Sequence, residues 1–153
     1  MYQILQHAHS GLRWLVLIAL IAAIINAFNK KSKISHIDKS DVSFTSKDKM
    51  FGLFALIFTH IQLILGLVLY FISPLVQFSS GTMKNSVLRF YTVEHITLMV
   101  IAIVIITVGY SKAKRIEEDA KKFKTIGVYY LIGLILILIS IPWPFRNLGA
   151  GWF

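Results

Sequence analysis

Five histidines and seven carboxylates carry most of the chemistry open to this chain, because it has no cysteine. Without thiolates there is no Cys-based zinc site, iron–sulfur cluster, disulfide or thioether-attached haem. Imidazole remains as the metal donor. His7 and His9 stand in "QHAHSGLRW", with Arg13 one turn after His9. His60 lies in "FTHIQLILGLVLYF", and His95 follows Glu94 in "EHITLM". His36 sits in a polar stretch and reads as a solvated loop residue. Zincin, Walker and dinucleotide-binding motifs are absent.

The elements that must position these residues are membrane helices. Apolar residues make up 56% of the 153-residue chain and the mean hydropathy is +0.70, above the roughly 45–50% apolar content of ordinary globular domains. Four long apolar runs lie along it, and strands of alternating polarity are missing. Punctuation by Pro74 and by the prolines of "PWPF" helps set the ends. The expected fold is all-α: one integral-membrane four-helix domain over residues 1–153, with helices at about 4–28, 50–73, 90–111 and 125–141.

Net charge is +9, but its distribution argues for a membrane and against nucleic acid. Twelve of the sixteen Lys and Arg residues fall in two stretches, Lys30–Lys49 and Lys112–Lys124, leaving Arg13, Lys84, Arg89 and Arg146 at the opposite ends. This is the positive-inside pattern. It predicts an up-down-up-down bundle in a bacterial inner membrane, multi-pass, with both termini on the outer (periplasmic) side. The first helix has no basic n-region and is followed by a stop-transfer flank, Asn29-Lys30-Lys31, so it reads as an uncleaved span. The stretch Asn29–Lys49 reads as a mobile linker. Trp14, Trp143 and Trp152 all fall near the outer boundary, as an aromatic belt would. The tail "NLGAGWF" either folds back over that end or anchors beside it.

Length then decides how deep the polar residues lie. The apolar run Trp14–Phe28 spans 15 residues, about 22 Å of helix, too short for a ~30 Å hydrocarbon layer. The helix must extend back through Arg13 to His9. The run Ile96–Tyr110 is equally short, so His95 and Glu94 are drawn in as well. Both histidines then lie about 7–8 Å below the outer boundary. Helices 1 and 3 can sit diagonally, where His9 and His95 could ligate one haem iron from opposite sides. Arg13 and Arg89 could pair with the haem propionates. The blander reading has these side chains reaching the interface and bonding water. His7 points to another face and reads as an interface residue.

His60 falls deeper, near mid-membrane, where a polar side chain is a functional hypothesis by default. It suits a hydrogen bond to a cofactor or quinone, or a contact between helices. Glu94 is the one carboxylate inside a span. It is expected either to pair with Arg13 or Arg146, or to accept a proton when a quinol is oxidised.

Taken together, HAHSGLRW, THIQLILGLVLYF, EHITLM and IPWPFR make the chain resemble, over nearly its full length, a family of short four-helix bacterial membrane proteins. That family, seen in Bacteroidetes, is labelled "cytochrome b". The resemblance implies non-covalently bound haem b with histidine ligands, here His9 and His95. A fainter likeness, to half of a haem A synthase, rests only on Glu94-His95 sharing a membrane helix, and that activity is not carried over.

The expected function is electron transfer rather than stand-alone catalysis. One bis-histidine haem near the periplasmic face would exchange electrons with a quinone pool or a partner redox subunit. Membrane lipid and other redox subunits, or further copies of the chain, are the expected partners. The competing expectations are a haem-free accessory or scaffold subunit of a larger membrane complex, and a quinone-binding carrier built on His60 and Glu94.

Overall fold

The computed structural model describes residues 1–36 and 43–152, the side chains of 33–36 excepted. The chain forms α1 (Tyr2–His36), α2 (Ser46–Ile72), α3 (Ser86–Ala113) and α4 (Asp119–Ser140). Short 3₁₀ turns lie at Thr82–Lys84 and Pro144–Arg146. Among the described residues there is no strand. Each of the four helices contains a span long and apolar enough to cross a membrane. Apolar side chains within the spans, such as Ile18, Ile64, Val104 and Ile139, face outward and are more than half exposed. In water such a surface would aggregate, whereas lipid solvates it. This is a multi-pass membrane protein.

All four helices begin or end beyond the apolar runs, for local reasons. α2 starts at Ser46 rather than near Met50 because Thr45 and Asp48 form a capping box. The Thr45 hydroxyl accepts from the Asp48 amide (3.4 Å) while the Asp48 carboxylate accepts from the Thr45 amide (2.9 Å). α3 starts at Ser86 rather than near Phe90 because the Asn85 side chain accepts from the amides of Val87 and Leu88. α1 continues past Phe28 because no proline or glycine follows to stop it. His36 is therefore the last residue of a helix and not part of a loop. Its side chain, and residues 37–42 at the centre of the expected linker, lie outside the described residues. α4 starts at Asp119 rather than Thr125, with Asp119 itself in the first turn.

α1 packs on α2 and α4, and α3 packs chiefly on α4 and more lightly on α2. α1 and α3 make little direct contact, so they face one another across the bundle. Lipid supplies no hydrophobic drive between helices, so association rests on close packing and on interhelical hydrogen bonds. Both are present. Asn26 of α1 donates to Asp48 of α2 at 2.9 Å, and the buried Tyr130 hydroxyl of α4 donates to the Gly52 carbonyl of α2 at 2.7 Å.

Close approach between α3 and α4 depends on glycine. A Cβ at Gly133 would meet Ile106 Cγ1 at 2.5 Å, and one at Gly109 would press into the Tyr129 ring. Gly133→Val is therefore expected to destabilise the bundle by about 1–3 kcal/mol through overpacking. The check is the thermal unfolding midpoint in detergent. The lipid-facing Ile139→Leu should leave that midpoint unmoved, and equal midpoints for Gly133→Val and wild type would refute the packing account.

Candidate functional site

A cavity of about 150 Å³ opens among the first turns of α1, the last turns of α2, the first half of α3, and the end of α4. In that measure it has room for on the order of ten waters. His9, Arg13, Gln62, Gly66, Tyr91 and His95 are in its wall, over an apolar floor that includes Val16, Met99 and Ile137.

His9 and His95, 86 residues apart in sequence, face each other across it with ring centroids 6.4 Å apart and ring planes at 74°. A metal–imidazole bond is about 2.0–2.1 Å long and the ring centre lies roughly 1.1 Å behind the bonded nitrogen. Two imidazoles on opposite sides of one metal thus have centres about 6.3 Å apart, against roughly 5 Å for a tetrahedral angle. The observed separation fits the opposed arrangement, and opposed rings can be twisted to any angle about their common axis. Among the described residues, no His, Cys, Asp or Glu joins them to make a group of three. A metal held here would take its remaining donors from something other than these side chains.

The orientation of His95 follows from the end of α4. A helix carbonyl normally accepts from the amide four residues on, and proline has no amide hydrogen. Pro142 and Pro144 therefore leave the carbonyls of Leu138 and Ser140 without their usual donors. The Trp143 indole donates to Leu138 O at 2.9 Å, and His95 Nδ1 donates to Ser140 O at 2.8 Å. A carbonyl only accepts, so the proton sits on Nδ1 and the lone pair of His95 is on Nε2. Metal-binding histidines are typically oriented by this kind of backbone contact. Arg146 donates to the neighbouring Ile139 and Ile141 carbonyls at 2.8 and 3.1 Å, completing the helix end.

His9 is held differently. Its ring lies against Gly66, where an added Cβ would stand 3.0 Å from Cε1, and its buried Nδ1 has no hydrogen-bond partner. Gln62 donates to the His9 carbonyl at 2.8 Å, while its own buried Oε1 is unpartnered. Arg13 is only 8% exposed. One of its terminal nitrogens donates to the Trp152 carbonyl at 2.7 Å, and its charge lies over the rings of Trp14 and Trp143 at 5.4 and 5.8 Å. Its Nε is buried without a partner, and no carboxylate among the described residues pairs with it. A buried guanidinium without a counter-anion is costly in an apolar setting. The tail folds back over the cavity end. Leu148 is buried and its carbonyl accepts from Tyr91 at 3.2 Å, while Trp14, Trp143 and Trp152 form one cluster with ring centroids 6.1–6.5 Å apart.

The other candidates are placed elsewhere. α3 contains one wide π-turn at Phe90–Glu94, in which the His95 amide reaches back to the Phe90 carbonyl. Glu94 turns outward there and pairs with Arg89 at 2.7 Å, both about two-fifths exposed. Glu94 therefore meets neither Arg13 nor Arg146, and Arg89 is engaged by Glu94 and the Met83 carbonyl rather than by the cavity. His60 does not line the cavity either. Its Nδ1 donates to Leu56 O at 2.7 Å within its own helix, and its Nε2 lies 3.5 Å from the Thr107 hydroxyl of α3. That is a loose contact between helices. His7 is exposed and away from the cavity.

Gly66 and the Ser140 carbonyl were not singled out in the sequence, and Gln62 was named only as an interhelical partner for His60. Gln62 carried a usable signal, as an amide within an apolar helix, and the spacing of Ser140 to Pro144 carried another. Gly66 carried none. Compared with known protein families, curated proteins and solved structures, the chain matches none.

Proposed function

We propose that the protein is a small b-type cytochrome that holds one haem b between His9 and His95. The observation carrying this reading is the histidine pair, at the separation of two axial ligands on opposite helices, with His95 turned so that Nε2 is its free nitrogen. A haem held there would supply a one-electron couple, and the cavity, with room for only about ten waters, would have to open around the macrocycle to admit it. The side chains of this chain do the rest. His9 and His95 would hold the iron, and Arg13 would offer its unpartnered nitrogen to an acidic edge group of the macrocycle. The apolar floor lowers the local dielectric, and the folded tail with its tryptophans limits water at the open end.

The bundle runs up-down-up-down in a bacterial inner membrane with both termini on the periplasmic side. Supporting this are the positive-inside charge pattern and hydrogen bonds such as Tyr2 to Ser73 and Asn26 to Asp48, which link opposite ends of α1 to opposite ends of α2. The chain moves electrons between a quinone pool or partner subunit and a further acceptor. His60 and Glu94 make bonds within the protein, so any quinone would meet the site through the cavity and not through those two residues.

The test is a dithionite-reduced minus oxidised visible spectrum, with haem extraction, on detergent-purified protein expressed with ample haem. A sharp b-type band at one haem per chain is the expected result. A colourless protein overturns the reading. It would favour a haem-free subunit of a larger complex, the role for which His60 and Glu94 already serve as internal ties.

A further inference from the structure

The cavity between His9 and His95 has to widen before a macrocycle can enter it, and the bundle is not equally firm on all sides. Taken in the order α2, α1, α4, α3, the helices form a ring whose first three contacts are close and whose fourth, between α3 and α2, is light. Two polar ties cross that fourth side among the described residues. Near the outer end the Tyr70 hydroxyl donates to the Thr92 carbonyl at 2.8 Å, and deeper down His60 Nε2 lies 3.5 Å from the Thr107 hydroxyl. In the deeper tie neither atom has a hydrogen to give. The ring proton of neutral His60 is on Nδ1, donated to Leu56 O, and Thr107 donates its own to the Ile103 carbonyl at 2.7 Å. Two acceptors facing each other hold the helices weakly, so Tyr70 makes the one firm bond on this side.

From Tyr70 to His60 is ten residues of α2, a seam about 15 Å long. The cavity reaches it: Gln62, Leu63 and Gly66 line the wall from α2, and His95, Ile96 and Met99 from α3. Nearby, Ile64, Leu67 and Val100 point outward within the spans, so the seam opens toward hydrocarbon. The aqueous end is shut by comparison. Three hydrogen bonds hold the tail there, from Arg13 and Trp14 to the Trp152 carbonyl at 2.7 and 3.3 Å and from Tyr91 to the Leu148 carbonyl at 3.2 Å. Leu148 is buried, and Trp152 packs on Trp14 and Trp143.

We propose, resting on the haem reading of His9 and His95, that haem enters sideways from the lipid through the seam between α2 and α3, with the Tyr70–Thr92 bond as its latch. Parting α2 from α3 along the outer half costs that one bond. It leaves the close α3–α4 contacts at Gly109 and Gly133 in place, and at the opposite end Tyr130 on the Gly52 carbonyl and Asn26 on Asp48 keep α2 pinned. Thr92 belongs to the π-turn that ends at His95, so the latch holds the segment that presents a ligand. Met99, an adaptable side chain, lines the path. Entry through the aqueous end would instead break three bonds and uncover the buried Arg13.

Two measurements test this. The chain has no cysteine, so introduced thiols are the only ones. In haem-free protein carrying spin labels at Leu67→Cys and Val93→Cys, the distance across the seam should be broad with a longer population, and haem should narrow it. Labels at Val104→Cys and Ile135→Cys, on α3 and α4, should give one narrow distance throughout. A seam distance equally narrow with and without haem would overturn the route. The second measurement follows the b-type spectrum as haem-free protein in vesicles takes up haem dissolved in the bilayer. Tyr70→Phe should load about three- to tenfold faster, as loss of one hydrogen bond would give. Leu148→Ala combined with Trp152→Ala, which loosens the tail, should gain less than Tyr70→Phe. An equal or larger gain in that double variant would place the entrance at the aqueous end. Uptake indifferent to Tyr70→Phe overturns the route alone, whereas no uptake by any form overturns the haem reading and the route with it. Thermal unfolding in detergent identifies any variant that has lost its fold.

Discussion

His95→Ala protein, expressed with ample haem and purified in detergent, is expected to be colourless while remaining folded. Removing a partner that merely orients a metal-bound histidine costs about 10–100-fold in affinity, and removing the ligand itself should exceed that. His95 is the better anchored of the pair. Its ring is fixed by the Ser140 carbonyl at 2.8 Å, and the Ser140 hydroxyl donates in turn to the His95 carbonyl at 3.3 Å. His9 has no such anchor on Nδ1. His9→Ala should therefore keep a fraction of haem on His95 alone, and added imidazole should restore a six-coordinate spectrum by filling the space left by the ring. His7→Ala and His60→Ala should keep full colour, since neither side chain lines the cavity. Loss of haem in His60→Ala with retention in His95→Ala would reverse the assignment. Because His60 bonds only within its helix and loosely to Thr107, its removal should not unfold the bundle and confuse the comparison.

The histidine pair was legible because it obeys a length rule. Two apolar runs each too short for the hydrocarbon layer force His9 and His95 inward from the same side, and the structure brings their rings together. Arg13 was legible for the same reason, lying between the apolar run of α1 and His9. The partners of Glu94 and Arg89 were not. A π-turn inserts one extra residue into a helical turn, and nothing in "FYTVE" marks one. A regular helix through Glu94 would put the carboxylate elsewhere, which is why Arg13 and Arg146 looked like candidates and Arg89, five residues earlier, did not. The helix ends were underestimated because apolar runs mark lipid thickness. Caps such as Thr45–Asp48 and Asn85 mark where the backbone begins to coil. The tail's return over Arg13 depends on the carbonyl of Trp152, a group every residue carries and no sequence pattern identifies.

Gly66 gives the second large effect. Its missing side chain is the surface on which the His9 ring lies, and an alanine Cβ would stand 3.0 Å from Cε1, 3.6 Å from Nδ1 and 3.9 Å from Nε2. Alanine is tolerable if the ring gives by a few tenths of an ångström. Gly66→Ala should therefore keep haem, with a shifted reduction potential. Leucine cannot be met that way. Its branched end would occupy the space of the imidazole and drive His9 away from the opposed position. Leucine is also a good residue for this helix, since "LILGLVLYF" is already rich in it and glycine weakens a helix by about 1 kcal/mol relative to alanine. Gly66→Leu should thus remain folded, its gain in helix propensity set against the cost of moving the His9 ring, and yet hold haem on His95 alone. The readout is the spin state and the response to carbon monoxide. With His9 and His95 both on the iron, as proposed, reduced wild type should ignore the gas, whereas reduced Gly66→Leu should turn high-spin and bind it readily. A variant that stays low-spin and inert to carbon monoxide would mean that His9, as packed on Gly66, is not the second ligand. Because the substitution touches neither histidine, it separates a ligand that must occupy one position from a buried imidazole that merely fills space.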